Sequence, residues 1–149
     1  MEEQSANFEK LSALDRIFNS VMGALVRVGI GLPQMRVLEV RGRKSGKLYR
    51  LPVDLLPDGG KLYLVAPRGH TQWVRNAEAS RTITLRRGFQ AEEYSLRALS
   101  GEEKNRILAA YLDRFRREVQ RFFPLPAGSP AESFAPLASR YPAFELTRS

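Results

Sequence analysis

At 149 residues the chain is long enough to bury the core of one domain, and a composition of 43% hydrophobic and 27% charged residues is ordinary for a soluble globular protein. The absence of cysteine excludes disulfides, thiol chemistry and cysteine-ligated metal, and a single histidine, His70, gives little basis for a zinc site or a histidine-centred catalyst. A net charge of +8, drawn from 19 arginines and 5 lysines, favours polyanions such as nucleic acid, acidic lipid surfaces or phosphorylated and polycarboxylate cofactors, without choosing among them.

Taken in order, residues 1–6 are polar and expected to fray. Leu11, Leu14, Phe18, Val21, Leu25 and Val28 recur at steps of three and four, which predicts an amphipathic helix over about 8–28. That helix is read as packing on the body of the protein; the sharper alternative is contact with lipid or with an apolar substrate. The N-terminus lacks a signal-peptide pattern and no apolar run is long enough to span a bilayer, so a cytoplasmic protein is expected.

Residues 37–76 organise the rest. Val37 to Arg41 reads as a strand, and Gly42-Arg43-Lys44-Ser45-Gly46-Lys47 as a turn carrying three cations. Leu48 to Leu56 is a second strand, ended by the hairpin signal Pro57-Asp58-Gly59-Gly60, and Leu62 to Ala66 a third. Pro67-Arg68-Gly69-His70 breaks it, and Thr71 is placed to cap a short helix bearing Gln72, Trp73 and Asn76. The two basic loops are expected near each other because neighbouring strands carry them.

Arg81 to Arg87 and Phe89 to Leu99 give a fourth and a fifth strand, the buried face of the fifth left open by its pattern. Glu92 and Glu93 must point to opposite sides of that strand, so they do not form an acid–base pair. Ser100 to Glu103 has the form of a capping box, predicting a long helix to about Phe123. Ser129 to Glu132 restarts a short helix, and Pro142 to Thr147 reads as a closing strand. Six strands, antiparallel where hairpins join them, with helices around them, predict a small α+β barrel within a single domain, residues 1–149.

Two tempting motifs fail. Gly29 and Gly31 follow a helical pattern where a dinucleotide fingerprint needs a strand, and Gln34 stands at the third glycine position. The turn at Gly42 has three residues between its glycines where a phosphate loop has four, and Leu48 replaces the magnesium-binding hydroxyl. What the residues do supply is anion recognition: Arg43, Lys44 and Ser45 at one turn, and Arg68 beside Gly69 at another. Trp73 is suited either to stack on a flat ring or to plug the barrel. Redox chemistry here would require a borrowed cofactor.

Gly42-Arg43-Lys44-Ser45-Gly46, Pro52-Val53, Val65-Ala66-Pro67-Arg68-Gly69 and Gln72-Trp73-Val74-Arg75-Asn76, in that order and spacing, resemble the deazaflavin-dependent nitroreductase family. The similarity runs from the N-terminal helix to the Tyr141–Leu146 segment. It implies a split β-barrel of about six mainly antiparallel strands and coenzyme F420, an 8-hydroxy-5-deazaflavin with a phosphodiester and an oligoglutamate tail. By resemblance, Arg43, Lys44 and Ser45 would hold the phosphate and tail, with Arg68 in place of a lysine common in the family. Val65, Ala66 and Pro67, with Gly69, would pass along the deazaflavin, Gln72, Trp73 and Asn76 would complete its pocket, and Pro52 and Val53 would floor it. Tyr49 departs from the family, standing where many relatives carry a basic residue after the turn; Arg50 beside it is expected to point to the other face.

The expectation is therefore an F420-dependent reductase of a small electron-poor acceptor (a quinone, an enone or a nitro compound), with no metal and with the catalytic proton donor unassigned. An acceptor pocket built from Phe18, Met22, Tyr111, Phe115 and Phe122 accompanies it, with solvent, Tyr111 or another pocket hydroxyl as the proton source. The alternatives are an FMN-binding oxidoreductase of the same fold and a non-catalytic carrier. Nucleic-acid binding ranks last, because aromatic and basic residues do not interleave along a strand face. A homodimer and peripheral membrane contact through the N-terminal helix complete the expectations.

Overall fold

The structure, a computed structural model, describes residues 35–149. The helix expected over 8–28, with Phe18 and Met22, lies outside the described residues.

Six strands, β1 (Met35–Arg41), β2 (Leu48–Asp58), β3 (Lys61–Val65), β4 (Thr82–Arg87), β5 (Gln90–Ala98) and β6 (Ala143–Arg148), close into a barrel in the order β1-β2-β3-β6-β5-β4. The pairings of β1 with β4, β2 with β3, β3 with β6, β4 with β5 and β5 with β6 are antiparallel. Helix α1 (Gln72–Ser80) joins β3 to β4. Helices α2 (Gly101–Arg114) and α3 (Arg116–Val119) and two 3-10 segments, Gln120–Phe122 and Ala131–Arg140, fill the connection from β5 to β6. This is the α+β barrel with flanking helices that the sequence predicts.

Strand alternation divides the apolar residues between two cores. Leu38, Val40, Leu55, Leu64, Ile83, Leu85, Phe144 and Leu146 fill the barrel, together with Val74 and Ala77 of α1. Their neighbours Leu56, Tyr63, Val65 and Ala143 point outward, against Ile107, Leu108, Tyr111, Leu112, Phe123 and Phe134 of the helical connection. Each fully buried side chain of this size contributes on the order of 1.5–3 kcal/mol. On the outer face of β1, Glu39 is only 4% exposed and takes the guanidinium of Arg50 at 2.9 Å and that of Arg86, tying β2 and β4 to the strand between them. Arg50 thus turns to the opposite face from Tyr49, as alternation requires.

Three local expectations need correction. The long helix ends at Arg114, and Phe115 leaves helical geometry at φ −110°, ψ 27°. The change of direction lets Phe115, Val119 and Phe123 enter one core, where the Phe123 ring stacks on Tyr141 at 4.3 Å. Ser100 sits at the N-cap without a side-chain cap bond, and Glu103 is taken instead by Arg97, bidentate at 3.0 Å. The helix expected after Ser129 is a 3-10 segment with Pro136 inside it; proline has no N–H to donate to an α-helical bond. In β5, Glu92, Tyr94 and Leu96 form the more buried face, while Phe89 precedes the strand and is fully exposed.

An antiparallel barrel puts alternate strand ends on one rim. The β1–β2 turn, the β3–α1 loop, the α1–β4 junction, the exit from β5 and the entry to β6 all share a single rim.

Asp54, two residues before Leu56 on β2, has a buried Oδ1 without a hydrogen-bond partner among the described residues. Burial, and secondarily Glu118, hold its carboxyl above the usual range. The native state therefore binds this proton more tightly than the unfolded chain does, so stability falls as pH rises from the ordinary carboxylate value of about 3.9 through the raised native one. Asp54→Asn is expected to raise the urea midpoint at pH 7 and to lose that gain progressively as the pH is lowered toward 4. A midpoint that is unchanged or lower at pH 7 would contradict this.

Candidate functional site

The β1–β2 turn closes on its own backbone. The Gly42 N–H donates to the Lys47 carbonyl at 2.7 Å and the Gly46 N–H to the Gly42 carbonyl at 2.9 Å. The Lys47 N–H donates to Ser45 Oγ at 3.2 Å and Arg41 Nη1 to the Gly46 carbonyl at 3.1 Å. A Cβ at Gly42 would lie 2.8 Å from both Ser45 Oγ and Tyr49 Cε2, so both side chains would have to shift to admit one. The turn is thereby pinched, leaving Arg43, Lys44 and Ser45 exposed at its crest.

Helix α1 reaches this turn through Asn76. Val74 and Ala77 anchor the helix in the barrel core, and Asn76 beside them is 5% exposed. Its Oδ1 accepts the Arg43 backbone N–H at 3.1 Å and Arg43 Nη1 at 2.7 Å. An amide oxygen holds the guanidinium in place without neutralising it. Among the described residues, neither Arg43 nor Lys44 has a carboxylate within ion-pair distance. The result is a cleft of about 280 Å³ lined by Gly42, Arg43, Lys44, Ser45, Tyr49, Gln72 and Asn76.

On the same rim the β3–α1 loop borders a second cleft of about 390 Å³, lined by Pro67, Arg68, Gly69, Phe122, Arg140 and Tyr141. Between the two in sequence lies Thr71, at the N-cap position of α1 in extended geometry. Its hydroxyl is buried and has no hydrogen-bond partner among the described residues, so it does not cap the helix as the sequence suggests.

The sequence-predicted set is thus brought to one rim but not into one pocket. Arg43, Lys44, Ser45, Gln72 and Asn76 share the turn cleft, while Pro67, Arg68 and Gly69 line the other. Val53 and Trp73 are partly buried against the barrel interior, Val65 and Ala66 are buried, and Pro52 is exposed on β2. Packing of Trp73 on the barrel core matches the plug reading of that residue. His70 is exposed and donates Nε2–H to the Ser139 carbonyl at 3.0 Å. Tyr111 and Phe115 are buried in the helical core, and burial pushes the Tyr111 hydroxyl well above the usual phenol range. Of the expected acceptor pocket, Phe122 reaches a cleft. Sequence reasoning did not anticipate Arg140 and Tyr141 at this rim; they arrive because β6 pairs with β3, Ala143 opposite Val65, a pairing with no local signal.

The closed six-strand antiparallel barrel with flanking helices is a split-barrel fold. The chain belongs to the F420H(2)-dependent quinone reductase family, whose model matches residues 13–119. Its class of activity is F420-dependent oxidoreduction. An F420-H2 dependent reductase, FDR-A, is similar in structure, at 21% identity over 77% of this chain and 95% of that one, TM-score 0.53. The heme storage protein HutZ from Vibrio cholerae is similar at 11% identity over 78% of this chain and 82% of that one, TM-score 0.55. A domain-swapped dimer is similar at 18% identity over 91% and 99%, TM-score 0.53. At these identities the likeness shows the fold alone. No curated protein matches the chain.

The residues present fit the cofactor that the family implies. A phosphodiester and a polycarboxylate need cations, hydroxyl and amide donors at a turn where backbone can approach closely. The pinched Gly42 turn, with Arg43, Lys44, the Ser45 hydroxyl and the Gln72 amide around one cleft, supplies these.

The Asn76 clamp makes a prediction that separates position from charge. Asn76→Asp retains an acceptor for Arg43 but neutralises it, so affinity for oxidised coenzyme F420 is expected to fall about tenfold, the loss of one charge-assisted contact. Asn76→Ser, uncharged, should weaken binding less. Fluorescence titration of both variants checks the order, and an aspartate variant that binds as well as the parent would refute it.

Proposed function

We propose that the protein binds reduced coenzyme F420 along the rim of the barrel, with its anionic portion in the turn cleft, and reduces an electron-poor small molecule: a quinone, an activated enone or a nitro compound. The observation that carries this reading is the Arg43 guanidinium, fixed by an amide and left without a counter-ion among the described residues. A cation arranged this way is ready for an external anion.

When bound, the reduced deazaflavin supplies a hydride from its C5 carbon. The chain contributes binding and orientation. Arg43 and Lys44 offer charge, Ser45 retains a free O–H because its oxygen already accepts from Lys47, and Gln72 offers an amide from the first turn of α1. Developing negative charge on the acceptor is favoured by the same cationic rim. The buried Tyr111 is set aside as a proton donor, and solvent is the proton source in this proposal.

Titration with oxidised coenzyme F420, with FMN run alongside, tests the reading. The deazaflavin should bind, and Arg43→Ala and Lys44→Ala should each weaken it about tenfold or more, the loss expected for one hydrogen bond to a charged group. Binding of FMN alone would keep the fold and change the enzyme. Unaltered F420 affinity in both variants would move the site elsewhere.

A further inference from the structure

Two sets of cations contrast among the described residues. Arg50, Lys61, Arg86, Arg97, Arg106 and Arg148 lie within ion-pair distance of carboxylates. Arg68 and Arg140 line one cleft and, among the described residues, have no carboxylate at that distance. The Arg68 guanidinium lies 5.4 Å from the centroid of Phe122 and that of Arg121 4.7 Å from it, so one ring supports both cations. Two exposed cations bordering one cleft, with no carboxylate at ion-pair distance among the described residues, are open to an external anion.

The walls of this cleft are fixed by backbone. The Ala66 N–H donates to the Pro142 carbonyl at 2.8 Å. His70 Nε2–H donates to Ser139 at 3.0 Å, and the Tyr141 hydroxyl donates to the Phe122 carbonyl. Gly69 has φ +85°, and a Cβ there would lie 3.1 Å from the Arg140 carbonyl. The loop carrying Arg68 is therefore pressed onto the segment carrying Arg140, and the two arginines border one opening.

We propose that this cleft is a second anion site, in which Arg68 and Arg140 hold a carboxylate or phosphate group separately from the β1–β2 turn. Two sources share that chemistry: the acidic tail of coenzyme F420, which rests on the function proposed above, and a carboxylate borne by the acceptor. Arg140 is then a specificity-determining residue of the rim.

The first test needs no cofactor. Tri-γ-glutamate is added to the 15N-labelled protein while the backbone amides of Gly69 and Tyr141 are followed. Both should shift, and Arg140→Ala and Arg68→Ala should each weaken the response about tenfold, with Arg140→Lys recovering part of it. Thermal melting of each variant checks that the fold is retained. No shift at these amides, or shifts that survive both alanine variants, would overturn the proposal.

Two further arms identify the source. If Arg140→Ala weakens coenzyme F420 but not its tail-less deazaflavin alcohol, the site takes the tail. If it raises KM for a carboxylated naphthoquinone and leaves that for menadione unchanged, the site takes the acceptor. No effect in either arm would overturn the proposed role of Arg140. A triglutamate response in a protein that does not bind coenzyme F420 would keep the anion site and remove the cofactor reading.

Discussion

The hydrogen bonds from Arg43 to Asn76 are the constraint on which the rim depends. They join the β1–β2 turn to α1, elements more than thirty residues apart, through a side chain that is almost fully buried. Leaving a buried polar atom unpaired is costly, and here the pairing fixes both the backbone and the guanidinium of one residue. Because the acceptor is an amide, the pairing orients a positive charge without cancelling it. A carboxylate at this position would give a similar geometry and the opposite electrostatics.

The rest of the molecule keeps that charge where it is. The closed barrel brings three connections to one rim, and its interior core anchors α1 through Val74 and Ala77. Several arginines elsewhere are held by carboxylates: Arg50 and Arg86 by Glu39 across β1, Arg97 by Glu103 and Glu145, Arg148 by Glu92. The net charge is therefore not spread evenly in its effect. The exposed pairs among these add little to stability, but such pairing leaves Arg43 and Lys44 of the turn, which have no carboxylate at ion-pair distance among the described residues, able to meet an anion. The family's polyanionic cofactor is the partner such a distribution suits.

Much of this was legible in the sequence because the signals were local. Short apolar or alternating runs between turn residues placed all six strands, the Asp58-Gly59-Gly60 turn fixed one hairpin, and Gly42 to Gly46 read as a cationic turn. Alternation also placed Arg50 opposite Tyr49. The long-range features were not legible. That Asn76 clamps Arg43, that Glu39 serves two arginines, and that Arg140 stands beside the Arg68 loop all follow from which strands become neighbours. The misread helix ends have a different cause: Ser100 and Thr71 have the right chemistry for caps, but tertiary contacts claimed Glu103 and left the Thr71 hydroxyl unpaired. The division of the predicted site into two clefts likewise depends on the path from Phe115 to Tyr141, where aromatic packing overrides helical propensity.

The central claim is that the turn held by Asn76 receives the anionic part of the cofactor. The most direct measurement is a map of backbone and side-chain amide shifts in the 15N-labelled protein as oxidised coenzyme F420 is added. The account predicts that the largest phosphate-dependent changes, those absent with the tail-less deazaflavin alcohol, fall on residues 42–47 and on the side-chain amides of Gln72 and Asn76. Phosphate-dependent changes that leave this turn untouched would contradict it.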